Sequence, residues 1–502
     1  MNYRVVVNVI GFILFFLGTS MIFSLGWAVY YREDLYFYRD FSAILKSLII
    51  TILSGLILIL GTYSKKKEKL STRDGFAIVT LGWLLMTFFS ALPFYFSDIG
   101  SYTDCFFEAM SGLTTTGASI LTNIESLSHG ILFWRSFTHF IGGMGIIVFS
   151  IAILPLLGAG GVQLYKAEVA GPAADKLTPR IKQTAKYLWL IYLGLICFMT
   201  FVLYFEGLVL GIDKLNLFHS LCHAFGTIGT AGFSTYNSSI AAFESPVVTW
   251  TFIIFMFLSA TNFSLHFILL TKGSFQYFKN PEFKVYLKII FFIGIFFFIG
   301  IVNLDLVNHL NSQGFTIYEK FETAFFYSVS FVTTTGFTHS NYLEWNNASL
   351  IVIFMLLFLG GCAGSTTGGI KLVRTLVLFR YLRSAIKKLI HPNGVYPIRM
   401  GNKEISLDII QSVISFYFIY IFIFISLSLI VSLTSNTDFI SSLAISASTI
   451  GNIGPGLGVI GPLGNWSGFT DLTKWILSFC MLLGRLEIFT VIILFSKTYW
   501  KR

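Results

Sequence analysis

Residues 111–120, SGLTTTGASI, decide how this chain is read. Three hydroxyls and a glycine close a short apolar stretch, and SFVTTTGFTH at 330–339 repeats the arrangement. Inside a bilayer such polar groups are costly unless the protein satisfies them or they line something wet. Aligning the chain on the glycine gives four matching segments: EAMSGLTTTGAS, HAFGTIGTAGFS, YSVSFVTTTGFT and ISASTIGNIGPG. The aligned glycines are Gly117, Gly232, Gly336 and Gly454, separated by 115, 104 and 118 residues. Eight and six positions before each, the residue is always small: Ala109 and Ser111, Ala224 and Gly226, Ser328 and Ser330, Ser446 and Ser448. Small residues let membrane helices pack closely, and similarity at a long regular period marks a repeated structural unit.

The rest of the chain agrees with a membrane setting. Of 502 residues, 55% are hydrophobic and 12% charged, about half the charged share of a soluble domain. Apolar runs at 5–29, 41–60, 76–96 and 409–433 reach the ~20 residues that cross a bilayer as a helix. The first run is too long for a signal-peptide core and has no clean cleavage site, so it reads as a retained helix. The net charge of +10 is concentrated in SKKKEK at 64–69 and in segments 166–186, 272–288 and 371–403. Loops 97–104, 206–217, 303–320 and 434–439 are short of Lys and Arg. That alternation predicts cytoplasmic basic loops, with both termini inside. It suits anionic lipid or an acidic partner surface and gives no reason to expect nucleic acid. Five cysteines in apolar context, without pairing or metal spacing, read as buried thiols.

Each unit is expected to hold a long helix, a segment of about 12–14 residues too short to span, the Thr/Gly stretch, an outer loop and a second long helix. The paired long helices are 75–96 with 131–157, 186–210 with 247–270, 286–303 with 348–382, and 408–433 with 470–497. The short segments start near Asp104, Asn216, Glu319 and Asp438, residue types that suit helix starts. They read as half-helices re-entering from outside, four around one axis. Glycines let carbonyls turn inward, and a carbonyl ring can replace the hydration shell of a cation. The half-helix C-termini add partial negative charge to the same place. The expected fold is an all-α polytopic membrane protein, with four M1–P–M2 repeats around a pseudo-fourfold pore and an N-terminal helix pair. Its parts are 1–70 (helix pair), 71–157, 158–271 and 272–383 (repeats 1 to 3) and 384–502 (repeat 4).

These residues resemble the Trk/Ktr/HKT superfamily of potassium transporters and, within it, the TrkH branch. The resemblance runs from about residue 70 to the end; the extra helix pair at 5–29 and 41–62 is also like TrkH and unlike the shorter Ktr subunit. It implies a K+ filter at Thr114, Thr115, Thr116 and Gly117; Gly229, Thr230, Ala231 and Gly232; Thr333, Thr334, Thr335 and Gly336; and Gly451, Asn452, Ile453 and Gly454. In plant relatives a serine at the first glycine goes with sodium transport, so Gly117 implies potassium. The four copies differ, since Gly229 and Gly451 stand where repeats 1 and 3 have threonine.

LGGCAGSTTGGIK at 359–371 interrupts the second helix of repeat 3. From the residues alone it is a kink, a tight packing site or a break. The resemblance implies an intramembrane gating loop, with Gly360, Gly361, Gly364, Ser365, Thr366, Thr367, Gly368 and Gly369 below the filter. Arg485 lies in the last apolar helix, where a charge is expensive and usually functional. It either pairs with another helix or, as the resemblance implies, faces the pore and bonds to carbonyls of the loop. Glu487, two positions on, points elsewhere on a continuous helix.

Other features imply less. His219 and His223 share a helix face but lack further metal ligands. HFIGGMG at 139–145 and ATNFSLHF at 260–267 either line the pore or bond between helices. GAGG at 158–161 is no dinucleotide fingerprint. No Walker A motif is present, so no ATPase engine and no organic cofactor are expected. The resemblance instead implies a homodimer in the bacterial inner membrane and a cytosolic TrkA-type nucleotide-binding ring. Basic segments 158–186, 272–288 and 371–403 are the candidate docking surfaces. A sodium-permeable or sodium/proton-coupled symporter of the same fold is the alternative, and a membrane-embedded enzyme lacks converging acid, base or metal ligands.

Overall fold

The computed structural model describes residues 1–63, 71–152, 181–307, 316–401 and 403–500. The basic cluster 64–69, GAGG at 158–161 and most of segment 158–186 lie outside the described residues. Among the described residues six helices are long and apolar enough to cross a membrane, or eight if two bent pairs each count as one span.

Helices α1 (Tyr3–Tyr30) and α2 (Phe37–Gly61) form the N-terminal pair. They cross closely because Gly11 and Gly55 leave room for backbone on backbone: a Cβ at Gly11 would lie 2.9 Å from the Gly55 carbonyl oxygen. The pair packs on repeat 1. That repeat holds α3 (Thr72–Ser90) with its continuation α4 (Leu92–Phe96), the half-helix α5 (Tyr102–Leu113) and α6 (His129–Ala152). Repeat 2 holds α7 (Ile181–Leu210), half-helix α8 (Leu217–Ile228), α9 (Pro246–Ser259) and α10 (Phe263–Lys272). Repeat 3 holds α11 (Pro281–Val307), half-helix α12 (Ile317–Val332), α13 (Asn347–Leu356) and α14 (Leu372–Ile390). A two-residue antiparallel ladder, β1 (Arg399–Met400) with β2 (Lys403–Glu404), leads to repeat 4. There α15 (Leu407–Ser435) and half-helix α16 (Phe439–Gly451) precede α17 (Asp471–Arg485) and α18 (Phe489–Ile492).

The repeats interlock cyclically. The second helix of one repeat packs on the half-helix of the next: α6 on α8, α9 on α12, and α17 back on α5. Between repeats 3 and 4 the stretch after α13 approaches α16, with Gly451 against the Leu357 carbonyl. This closes a pseudo-fourfold ring, the architecture expected from the four aligned segments.

Half-helix starts are fixed by local chemistry. Ser101 and Thr316 cap α5 and α12 in reciprocal capping boxes with Asp104 and Glu319. Asn216 and Asp438 cap α8 and α16 directly, accepting from the amides of His219 and Ser441. The hydrogen bond from Ser441 also holds the Asp438 carboxyl below the usual carboxylate range. Asp104 and Glu319 thus sit one turn inside the starts predicted for them, because the preceding hydroxyl residue is the better cap.

Two helices expected to be continuous are broken. The span 247–270 bends by 92° between α9 and α10, where Asn262 accepts from the Ser264 amide and starts a new helix. The span 470–497 bends by 111° after Arg485, where Glu487 and Ile488 both take φ 56°. Arg485 therefore ends α17 instead of lying within a continuous helix.

Candidate functional site: a ring of four glycine segments above a buried loop

All four half-helices end alike. In each, the residue three before the aligned glycine closes the helix and the next residue turns left-handed. Thr115, Thr230, Thr334 and Asn452 have φ of 52°, 51°, 52° and 52°. The amide of each left-handed residue bonds back to Gly112, Thr227, Phe331 and Thr449, at 3.1, 3.1, 3.0 and 3.3 Å. The following amides reach Ser111, Gly226, Ser330 and Ser448 at 2.9, 2.8, 3.0 and 3.1 Å. This double bond pattern is the Schellman helix end, which usually puts glycine at the left-handed position. Here it holds threonine three times, at a cost of about 1–2 kcal/mol each. Gly117, Gly232, Gly336 and Gly454 then take φ of 79°, 82°, 76° and 92°. Alternating hand along a short segment allows successive carbonyls to project to one side, which a regular strand does not.

The four segments touch in order. A Cβ on Gly117 would overlap the Ala231 carbonyl oxygen, one on Gly232 that of Thr335, and one on Gly336 that of Ile453. One on Gly454 would lie 2.6 Å from the Thr116 carbonyl oxygen, which completes the circle. Glycine is required at these positions by both conformation and space. All four glycines line one cavity of about 380 Å³ on the side of the outer loops.

The ring is only twofold in its side chains. Thr114 and Thr116 hydroxyls lie 2.8 Å apart in repeat 1, and Thr333 and Thr335 lie 2.7 Å apart in repeat 3. Gly229 with Ala231, and Gly451 with Ile453, leave no such hydroxyl pair in repeats 2 and 4. In repeat 4, Asn452 Nδ2 instead donates to Thr116 Oγ1 at 3.0 Å and to the Met481 carbonyl at 2.9 Å.

The strands leaving the ring are tethered by groups that sequence reasoning missed. Glu108 and Arg135, both fully buried, form an ion pair at 2.7 Å. Glu108 accepts from the Ile120 amide at 2.9 Å, and Arg135 donates to the Ser234 carbonyl at 2.8 Å. One pair thereby secures the strands of repeats 1 and 2. Each is a charge in an apolar helix, the same signal that singled out Arg485. His223 Nε2 lies 2.9 Å from Ser234 Oγ and His219 Nδ1 lies 2.8 Å from Thr235 Oγ1, so both histidines support the repeat-2 strand. Ser330 and Ser448 donate to the carbonyls of Phe337 and Gly454, at 2.8 and 2.9 Å.

The stretch 357–371 lies directly beneath this ring and is irregular throughout. Leu359 and Ile370 form an isolated parallel bridge that closes the loop on itself. Gly364 and Gly369 have φ of 68° and 62°. The loop contacts repeats 2 and 4 and the half-helix end of its own repeat. Thr366 Oγ1 donates to the carbonyl of Ile228, the last residue of α8, at 3.0 Å. The Gly368 amide donates to Thr334 Oγ1 at 2.8 Å. Gly368 also abuts the Gly451 carbonyl and Asn452, while the Cys362 amide donates to Ala260 at the break in repeat 2. Gly360 and Gly361 leave room for the Gly368 backbone and for Ala260. Ser365 and Thr367 hydroxyls pair at 2.9 Å.

Arg485 reaches the loop from repeat 4. Nη1 donates to the Thr366 carbonyl at 2.7 Å and Nη2 to the Gly142 carbonyl of α6 at 3.1 Å. Both acceptors are neutral carbonyls, and among the described residues no carboxylate forms an ion pair with it. Glu487 is directed away from it, as expected, though because the helix has broken; it pairs with Arg374 of α14 at 2.5 Å. His139, in HFIGGMG, stacks on Phe233 behind the ring, and Asn262, in ATNFSLHF, caps α10.

A family model for TrkH, described as a cation transport protein, matches residues 41–502. The Trk system potassium uptake protein TrkH of Escherichia coli (strain K12) is 38% identical over 505 residues, spanning all of both chains. The TrkH of Halomonas elongata is 34% identical, again over the whole of both chains. The crystal structure of the potassium transporter TrkH from Vibrio parahaemolyticus aligns over all of both chains with a TM-score of 0.87 at 33% identity. The chain thus belongs to the TrkH family of cation transport proteins, within the TrkH branch of the Trk/Ktr superfamily.

Proposed function

We propose that this chain takes up potassium across the bacterial inner membrane through the glycine ring, with residues 360–369 and Arg485 as its gate. The observation that carries this reading is the cyclic contact of Gly117, Gly232, Gly336 and Gly454 with the carbonyls of the next repeat around one outward cavity. Backbone oxygens so placed can exchange for a cation's water. The half-helix C-termini favour positive charge there. Below, the loop and the Arg485 guanidinium that bonds to it oppose passage until both move. The full-length relatives are named for potassium uptake, which supports K+ over the sodium-permeable or ion-coupled alternative.

The chain carries a transported ion and no catalytic group, in this reading, and it works as a homodimer with a cytosolic nucleotide-binding ring of the TrkA type. The ring docks on the basic surfaces 272–288 and 371–403, and anionic lipid meets the same face. The five segments 1–70, 71–157, 158–271, 272–383 and 384–502 are its structural units. The gate is tested by Arg485→Ala in liposomes without the partner. The variant is expected to pass more rubidium than the parent, and a silent variant refutes the barrier role. Docking is tested by deleting basic residues of 371–403, and undiminished ring binding refutes that surface.

A further inference from the structure

Helix α14 leaves the loop without a cap of its own. Its N-cap residue, Lys371, makes no side-chain bond to the first turn, although the first amides of any helix need acceptors. The acceptor comes from another helix. Glu282, in the first turn of α11 and 4% exposed, accepts from the Val373 amide at 3.1 Å through Oε1. The same oxygen accepts from the Ala363 amide at 2.8 Å, on the other arm of the loop. Asn280 fixes the site from below, taking the amides of Glu282 and Phe283 at 2.8 and 3.2 Å.

We propose that Glu282 is a positioning residue for the 360–369 loop: one carboxylate oxygen clasps both arms of the loop and holds it across the axis. The chemistry suits the task. A carboxylate accepts two amides at once, and the N-terminus of α14 favours negative charge. The other contacts between the arms, from the Leu372 amide to the Gly361 carbonyl at 3.1 Å, the Gly360 amide to the Ile370 carbonyl at 2.9 Å and the Ile370 amide to the Phe358 carbonyl at 3.0 Å, lie within the loop and its flanks. Glu282 stands on α11, outside the loop, so withdrawing the loop from that helix requires breaking its bonds. The consequence for flux rests on the gate reading above.

The test uses the full chain in liposomes, with two readouts. One is rubidium influx without any partner. The other is the labelling rate of Cys362, which adjoins Ala363 and is 1% exposed, with Cys105, Cys197, Cys222 and Cys480 replaced by alanine. Glu282→Ala is expected to speed labelling and to raise influx by about tenfold, the effect of about 1.4 kcal/mol. Its potassium-to-sodium ratio stays at the parental value, because the ring above is untouched. Glu282→Gln retains an acceptor oxygen and is expected to reverse most of both changes. Labelling at the parental rate in Glu282→Ala overturns the clasp, as does a Glu282→Gln variant that behaves like Glu282→Ala. Faster labelling with parental influx upholds the clasp and refutes the gate reading instead. If Glu282→Ala does not assemble, Glu282→Asp, one methylene too short to reach, replaces it: faster labelling upholds the clasp and labelling at the parental rate overturns it.

Discussion

At the scale of single residues, the site depends on backbone conformations that most side chains resist. Gly117 has φ 79°, and any Cβ there meets the Ala231 carbonyl. Gly117→Ser therefore displaces one carbonyl of the ring. We expect potassium-over-sodium discrimination in liposome flux to fall by about tenfold or more, equivalent to about 1.4 kcal/mol; an unchanged ratio would contradict the assignment of the ring. Thr334 is the complementary case. Its left-handed backbone is unfavourable for a β-branched residue, yet its hydroxyl accepts the Gly368 amide. Thr334→Val keeps the shape and the strain and removes only the acceptor. Basal rubidium flux should rise several-fold, the effect of about 1 kcal/mol for a neutral hydrogen bond, with selectivity unchanged. The glycines were legible in the sequence because four copies align. The left-handed threonines were not, since nothing in TTTG announces which threonine turns.

At the scale of elements, the fold relies on charges placed where a bilayer would reject them. Glu108 and Arg135 join half-helix α5 to α6 and reach the strands of two repeats. Glu108→Ala leaves a fully buried guanidinium uncompensated, which costs about 3–5 kcal/mol. A clear fall in Tm in detergent is the expected outcome; an unaltered Tm would show that water reaches Arg135. Arg485 is different, because its acceptors are carbonyls of the loop and of α6. Arg485→Ala removes charge-assisted bonds of about 1.5–3 kcal/mol each. Basal flux should rise at least tenfold, and Arg485→Lys should fall between, since an ammonium cannot span both acceptors. Half-helix existence and position were readable from length and from polar starts. The breaks after Ser259 and Arg485 were not, because the first carries neither proline nor glycine and the single Gly484 at the second is a residue that apolar membrane helices commonly tolerate. They arise from packing. Ala260 gives its carbonyl to Cys362 of the loop, and Glu487 is drawn to Arg374 of another repeat.

At the scale of the whole molecule, four units that differ in sequence build one axis. Cyclic packing of second helix on next half-helix gives the ring its closure. The alternation TTTG, GTAG, TTTG, GNIG lowers its side-chain symmetry to twofold. The long loop of repeat 3 breaks the symmetry entirely, since no other repeat sends such a segment to the half-helix ends of its neighbours. Composition and period were enough to place the ring. The loop's tether at Glu282 was invisible in sequence, where an acid in the first turn of a helix looks like an ordinary dipole partner. The central claim, that the four segments form one potassium-selecting ring, is tested most directly by cation flux through the purified chain in liposomes. Gradients of potassium, rubidium, sodium and lithium are imposed in turn. A potassium-selecting ring passes potassium and rubidium well ahead of sodium and lithium; equal flux of all four would contradict it.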